Sequence, residues 1–257
     1  MQTPLLTNPQ GLPGTNLSRL IARTPNLDWV CVDCEHGQMS DDSMHEAVAA
    51  IAACGVSPIV RVQEGQHWMI KRALDAGAHG IIVPLLQTAE EARNIVKFSR
   101  FPPQGNRGLG SALSMEKWIS GKTGEVKEVP WADYYEHSNS SIVIIVQIET
   151  KSALEQVKEI AGVDGIDVLF IGPNDLGNSI GHPMVLNGGK TAPELDQAIA
   201  TIHKAAQDAG KYSGMYTGTG EQAKKYADEG FNMINTANDI AIVKQYFAQH
   251  ISIAHGK

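Results

Sequence analysis

The sequence predicts an α/β fold, a closed (β/α)8 TIM barrel, and two observations predict it. Apolar, β-branched runs alternate with helical patterns from about residue 15 to the C-terminus, giving seven clear strand–helix units and a weaker eighth at the start. Eight such units in 257 residues fit one barrel with right-handed crossovers and helices outside. No linker interrupts the rhythm, so residues 1–257 read as a single domain.

The first strand is the least defined, placed around residues 10–15 in a Pro- and Gly-rich stretch, with a helix over 17–23. Trp29–Asp33 is the next strand, and Asp41 or Asp42 caps the helix that runs to about Cys54. Pro58–Val62 leads into a helix over 66–76. Gly80–Pro84 follows, and Thr88-Ala89-Glu90-Glu91 opens its helix with a capping box. The pattern then breaks from Phe101 to Asn139, a Gly-rich segment holding Trp118, Trp131 and Tyr134-Tyr135. A connection of that length suggests a lid over a site, or an insertion that only covers the rim. Val143–Thr150 resumes the strands, with a helix over 151–161, then a strand from Asp167 into Gly172. After a Gly-rich loop at 179–191 come a helix over 193–209, a strand at 212–217, a helix at 221–228, a last strand at 231–236 and a last helix at 240–249.

Composition narrows the partners. With 42% hydrophobic and 19% charged residues the chain is an ordinary globular one. A net charge of −7 with no Lys/Arg run argues against nucleic acid, and no apolar stretch is long enough to span a bilayer. No signal peptide is legible at the N-terminus, and three cysteines suit a reducing compartment, so a cytoplasmic location is expected. Cys31 and Cys34 have C-x-x-C spacing but end a strand, where i and i+3 point to opposite faces. They read as core residues.

Chemistry concentrates where strands end, which in a barrel is the C-terminal rim. Gln147 and Glu149 lie two apart and so on one side of their strand. Asp175 follows the next strand in Pro173-Asn174-Asp175. A carboxylate at the end of a buried strand is costly unless a cation or several donors meet it. Glu149 and Asp175 therefore suit a hard cation, Mg²⁺ or Mn²⁺, with Co²⁺ a further candidate. The plain alternative is that each caps the following helix. Arg61 ends Val60-Arg61-Val62 and offers a fork for a substrate carboxylate, or an internal ion pair with a rim acid, or both. Asp33-Cys34-Glu35-His36 sets an acid three residues before a histidine, a pattern for an acid–base pair. His45, His67, His137 and His203 have no such company and read as structural. Gly105–Gly110 is a weak nucleotide-loop signal, since it follows no strand; Gly218-Thr219-Gly220 could seat a phosphate.

Taken together these residues resemble the HpcH/HpaI aldolases, metal-dependent pyruvate aldolases of the phosphoenolpyruvate/pyruvate-binding barrel type. The matching pieces are Asp-x-Glu-His-Gly at 33–37, Val-Arg-Val at 60–62, Leu-Asp-x-Gly at 74–77, Val-Pro at 83–84, Pro-Pro-x-Gly-x-Arg-Gly at 102–108, Gln-Ile-Glu-Thr at 147–150 and Phe-Ile-Gly-Pro-x-Asp-Leu at 170–176. The resemblance implies that Glu149 and Asp175 ligate the metal and that Arg61 holds pyruvate and stabilises enolate charge. Gln147, Asn174 and Asp175 line the pyruvate pocket in that reading, and Asp33 and His36 form an acid–base dyad backed by Glu35. Asp75 matches an acid that reaches a neighbouring subunit's site, and the last helix is exchanged between barrels in a homo-oligomer, a hexamer or trimer. Asn174 stands where many members carry a smaller residue. Tyr216, at a strand end, is a candidate contact for the aldehyde half. No Lys ends an interior strand, which argues against Schiff-base chemistry.

The expected activity is cleavage or formation of 4-hydroxy-2-oxo acids, 2-keto-3-deoxy sugar acids included, to pyruvate and an aldehyde. Two alternatives stand beside it: oxaloacetate decarboxylation or condensation on the same metal site, and a barrel that only binds a carboxylate or phosphate ligand.

Overall fold

The structure is a computed structural model that describes residues 3–117 and 129–257. Eight parallel strands close a barrel in sequence order, with β1 paired to both β2 and β8. The strands are β1 (Leu5–Thr7), β2 (Trp29–Asp33), β3 (Ser57–Arg61), β4 (Gly80–Val83), β5 (Val143–Gln147), β6 (Val168–Ile171), β7 (Tyr212–Met215) and β8 (Met233–Asn235). The helices are α1 (Thr15–Ala22), α2 (Asp41–Ala52), α3 (His67–Asp75), α4 (Ala89–Ser99), α5 (Trp131–Ser141), α6 (Lys151–Glu155), α7 (Val157–Ala161), α8 (Pro173–Ser179), α9 (Pro193–Asp208), α10 (Gly220–Asp228) and α11 (Asp239–Ala254). No helix among the described residues is long and apolar enough to cross a membrane.

Strand parity sorts the core into two layers. Trp29, Cys31, Ile59, Ile82, Ile145, Val168, Phe170 and Met233 fill the barrel. Their neighbours Val30, Val32, Val60, Ile81, Ile144, Val146 and Leu169 pack outward under the helices. Full burial of an Ile or Val side chain stabilises by about 1.5–3 kcal/mol, so both layers strongly disfavour a one-residue register slip. Cys31 and Cys34 fall in opposite layers, as their spacing requires, and burial pushes the Cys34 thiol up to about 12. Neither is poised as a thiolate.

Several expectations need correction. The first strand is Leu5–Thr7, not residues 10–15; Gln10 makes only an isolated bridge to Val32, because Gly11 to Gly14 turn the chain into α1. Ser40, not Asp41 or Asp42, caps α2, its hydroxyl accepting from the Ser43 N–H at 3.3 Å. The Thr88 cap forms, accepting from Glu91 N–H at 3.1 Å, while Glu91 reaches one residue further back to the Gln87 N–H. The helix expected over 151–161 is broken at Gln156 into α6 and α7. Thr219 caps α10, and Gln222 takes the Gly218 N–H at 3.0 Å, so that loop is closed on itself.

The described residues of the segment from Phe101 to Asn139 sit at the opposite end from the rim. It joins α4 to β5, and only strand-to-helix loops reach the C-terminal face. Asn139 ties its two ends together, accepting from Phe101 N–H at 2.7 Å and donating to the Phe101 carbonyl at 3.0 Å. Its described part forms its own small core of Phe101, Met115 and Tyr134. These described residues lie away from this barrel's own rim; Trp118 lies outside the described residues.

The last helix, α11, begins where expected and runs longer. Ile242, Val243, Tyr246, Phe247, Ile251 and Ile253 on it are all exposed, and only Asp239 at its start is buried.

Candidate active site

The inward-facing rows of the barrel turn polar at their last positions. Trp29 and Cys31 are followed by Asp33, Ile59 by Arg61, and Val143 and Ile145 by Gln147 and then Glu149. These side chains open onto a rim cavity of about 630 Å³.

Arg61 is the hub. Its Nη2 and Nε donate to the Asp33 carboxylate at 2.6 and 2.9 Å, a bidentate pair. Its Nη1 reaches Glu35 Oε2 at 3.1 Å and Gln147 Oε1 at 3.4 Å. The ion pair and the rim position thus both hold. Although burial opposes its charge, the Asp33 bonds raise the Arg61 pKa and keep the guanidinium protonated. Burial pushes Asp33 upward too, but the Arg61 pair outweighs it and leaves the carboxyl below its ordinary range. Glu35, half-buried beside the same arginine, is raised, chiefly by desolvation.

Glu149 is buried and fully engaged. Leu85 N–H donates to Oε1 at 2.8 Å and Gln147 Nε2 to Oε2 at 2.6 Å. It does not cap the next helix; Thr150 does, accepting from Ala153 N–H at 3.1 Å. Burial, helped by the Glu35 and Asp175 charges, pushes its pKa up to about 7 against the lowering effects of the Leu85 N–H and Arg61. Leu85 holds its N–H in place from a left-handed backbone, φ 55°, which costs a bulky residue energy and occurs where surrounding structure imposes it. Gly172 matters for the same carboxylate: a Cβ there would lie 2.1 Å from Glu149 Oε2.

Asp175 lies in the first turn of α8, where its side chain makes no cap bond, and it lines the cavity together with Asn174. Among the described residues no group of three or more His, Cys, Asp or Glu is placed to hold a metal. Two carboxylates, one buried at a raised pKa beside like charges, fit a hard divalent cation that keeps water and substrate oxygens in the rest of its shell.

The remaining expected residues divide. Tyr216 lines the cavity, and its hydroxyl accepts from Asn238 Nδ2 at 2.9 Å. His36 lines it too, with its side chain 64% exposed, but its ring pairs with Glu35 at 3.7 Å. Asp33 does not meet that ring; it accepts the backbone N–H groups of Glu35 and His36, each at 3.1 Å. The three-residue spacing brings the His36 amide, not its imidazole, to the acid. Asp75 lies at the far end of α3, where it accepts from Arg107 Nη2 at 3.1 Å, and it takes no part in this cavity.

Sequence reasoning missed Asn238, Asp239 and Lys244, which also line the cavity. They follow β8, so the strand-end rule applied to the last strand would have found the first two. Asp239 accepts the Gly11 and Leu12 N–H groups at 3.0 and 2.9 Å, pinning the N-terminal segment to the rim.

The fold is a (β/α)8 barrel, an architecture whose enzymes carry their chemistry at the strands' C-terminal ends. The chain belongs to the HpcH/HpaI aldolase/citrate lyase family, whose model matches residues 15–245. It is 35% identical over 222 residues to a hydroxypyruvate/pyruvate aldolase of Cupriavidus necator, covering 86% of this chain and 78% of the relative. It is 32% identical over 233 residues to a 2-keto-3-deoxy-L-rhamnonate aldolase of Escherichia coli, covering 91% and 82%. The crystal structure of an HpcH/HpaI aldolase/citrate lyase family protein from Burkholderia cenocepacia superposes with a TM-score of 0.85 at 29% identity, covering 98% of this chain and 95% of that one. Its curated relatives are aldolases, carbon–carbon lyases, as the sequence motifs imply.

Proposed function

We propose that this chain is a divalent-metal-dependent aldolase that cleaves or forms 4-hydroxy-2-oxo acids, with pyruvate and an aldehyde as the other side of the reaction. The observation that carries the reading is the convergence of Arg61, Gln147, Glu149 and Asp175 on one cavity. Its relatives in Cupriavidus necator and Escherichia coli, named for pyruvate and 2-keto-3-deoxy acid substrates, support the same chemistry.

A Mg²⁺ or Mn²⁺ held by Glu149 and Asp175 would supply Lewis-acid stabilisation of the enolate that carbon–carbon cleavage leaves behind. The protein's own part is positioning and charge. Arg61, fixed by Asp33 and Glu35, presents cationic N–H groups towards the oxoacid carboxylate and the developing oxyanion. Gln147 holds Glu149 on one side and Leu85 N–H holds it on the other, so the carboxylate need not reorganise as charge moves. His36, exposed to the cavity and paired with Glu35, is placed to take the proton of the substrate's 4-hydroxyl. Tyr216 and Asn238 face the half of the cavity left for the aldehyde.

We further propose a homo-oligomer in which the apolar face of α11 packs on another copy. Light scattering of the intact chain should give a mass several times 27.7 kDa.

The direct test is pyruvate release from a 4-hydroxy-2-oxo acid by EDTA-stripped protein, with and without added Mg²⁺ or Mn²⁺. Metal-restored release supports the aldolase. Release of CO₂ from oxaloacetate, with no cleavage of hydroxy-oxo acids, would instead indicate decarboxylase chemistry on the same residues. Activity unchanged by stripping would remove the metal from the account.

A further inference from the structure

Beneath the rim, the barrel closes at its thinnest seam. β1 has three residues, and its register with β2 is the single pair Thr7–Trp29, while Thr7 also stands opposite Asn235 of β8. Three side chains from adjacent strands therefore occupy one layer. All three are buried, at 0, 2 and 1% exposure for Thr7, Trp29 and Asn235. Each carries a polar atom with no hydrogen-bond partner among the described residues: Thr7 Oγ1, Trp29 Nε1 and Asn235 Oδ1. All three residues also line one small interior cavity of about 20 Å³, walled on other sides by Arg61, Gln147 and Tyr216.

One orphaned polar atom in a barrel would be unremarkable strain; three around one cavity form a complementary set. Each is costly to desolvate without a bond. A cavity holds a water once it offers roughly 10–15 Å³ and two to four polar partners, and this one meets both conditions.

We infer that this cavity is the site of a single internal water that bridges β8, β1 and β2. The chemistry selects water over an ion. The indole N–H of Trp29 can only donate, which repels a cation, and the amide oxygen of Asn235 can only accept, which repels an anion. The amide's orientation is set, because its Nδ2 donates to the Thr217 carbonyl at 2.7 Å and Oδ1 is the atom left without a partner. The water accepts from Trp29, donates to Asn235 and shares its third bond with the Thr7 hydroxyl. It thereby supplies across the seam the hydrogen bonding that a three-residue strand cannot, directly under the floor of the active site.

Thr7→Val is the discriminating variant because it keeps the side chain's shape. If the hydroxyl binds the water, Val removes a bond and lowers the folding equilibrium constant roughly tenfold. If the hydroxyl is merely orphaned, Val replaces a desolvated polar atom by a methyl and stability holds or rises. The second measurement needs no variant: in ¹³C/¹⁵N-labelled wild-type protein the Trp29 indole N–H, assigned through its bonded and NOE connections to the Trp29 backbone, should show an NOE to the water resonance. Absence of that NOE, or a Thr7→Val protein as stable as wild type or more so, overturns the site.

Discussion

Among the described residues two largely enclosed arginine–aspartate pairs, Arg61–Asp33 and Arg107–Asp75, stand at opposite ends of the barrel, and their surroundings differ. Arg61 at the rim has a side chain 15% exposed and meets Asp33 and Glu35, with Glu149 and Asp175 on the same cavity. Arg107 at the opposite end is 1% exposed and meets one acid among the described residues, Asp75. Its guanidinium lies 4.7 Å from the centre of the Phe101 ring and donates to the Tyr134 hydroxyl at 3.1 Å. Aromatic faces on one arginine and an excess of carboxylates around the other make the contrast. The first is walled in and locks the inserted segment to α3. The second keeps open space in front of it and negative charge around it, the arrangement a cation and an anionic substrate would complete.

The largest effect expected from breaking this contrast is at Glu149. Glu149→Ala should lower kcat/KM roughly 10³-fold in pyruvate release, the scale of losing a principal electrostatic group. Its melting temperature should hold or rise, since a buried carboxylate leaves. Next come the two arginines. Arg61→Lys should lower kcat/KM about 100-fold with little change in melting, because the bidentate fork is lost while the charge stays. Arg107→Met should do the reverse, destabilising by about 3 kcal/mol in urea denaturation with kcat retained in the folded protein. Smaller is Gly172→Ala, where the added Cβ must displace Glu149 Oε2. A loss of about tenfold in kcat/KM is expected, at the scale of a shift in one positioned group.

The pH dependence sharpens the same point. Glu149 titrates near 7 when folded and near 4.5 as an ordinary glutamate. The folded form therefore holds a proton that the unfolded form releases between those values. Stability of the metal-free protein should be retained below about 4.5 and fall as pH rises towards 7. Metal binding needs the ionised form, so apparent Mn²⁺ affinity, followed by calorimetry, should drop about tenfold per unit as pH falls below 7. A flat affinity profile from pH 5 to 7 would mean Glu149 is not the ligand.

Much of this was legible in the sequence because strand parity is strict. An alternating row that fills a barrel must end somewhere, and Asp33, Arg61 and Gln147 show where by turning polar. The errors have equally physical sources. Leu5–Thr7 is too short to display a period, so the first strand was placed in the turn that follows it. The 101–139 segment suggests a lid from its length alone, and the two ends that are described join a helix to the next strand at the other end of the barrel. Asp33 and His36 suggested a dyad from spacing, but after a strand the chain turns and delivers the amide. Leu85 left no trace at all: nothing in the residue type announces a positive φ. Lys244 was hidden because it lies within α11, well past the end of β8, where the strand-end rule does not reach.

Deuterium exchange into the methyl group of pyruvate tests the central claim without any assumption about the aldehyde. Stripped protein in D₂O, with Mn²⁺ restored, should exchange the methyl protons measurably by ¹H NMR. Without metal, or with Glu149→Ala or Arg61→Lys, exchange should fall towards the uncatalysed rate, and folded Arg107→Met should exchange like wild type. Exchange that ignores metal removal, or that is lost equally in Arg107→Met, would contradict the assignment of the rim as the catalytic end.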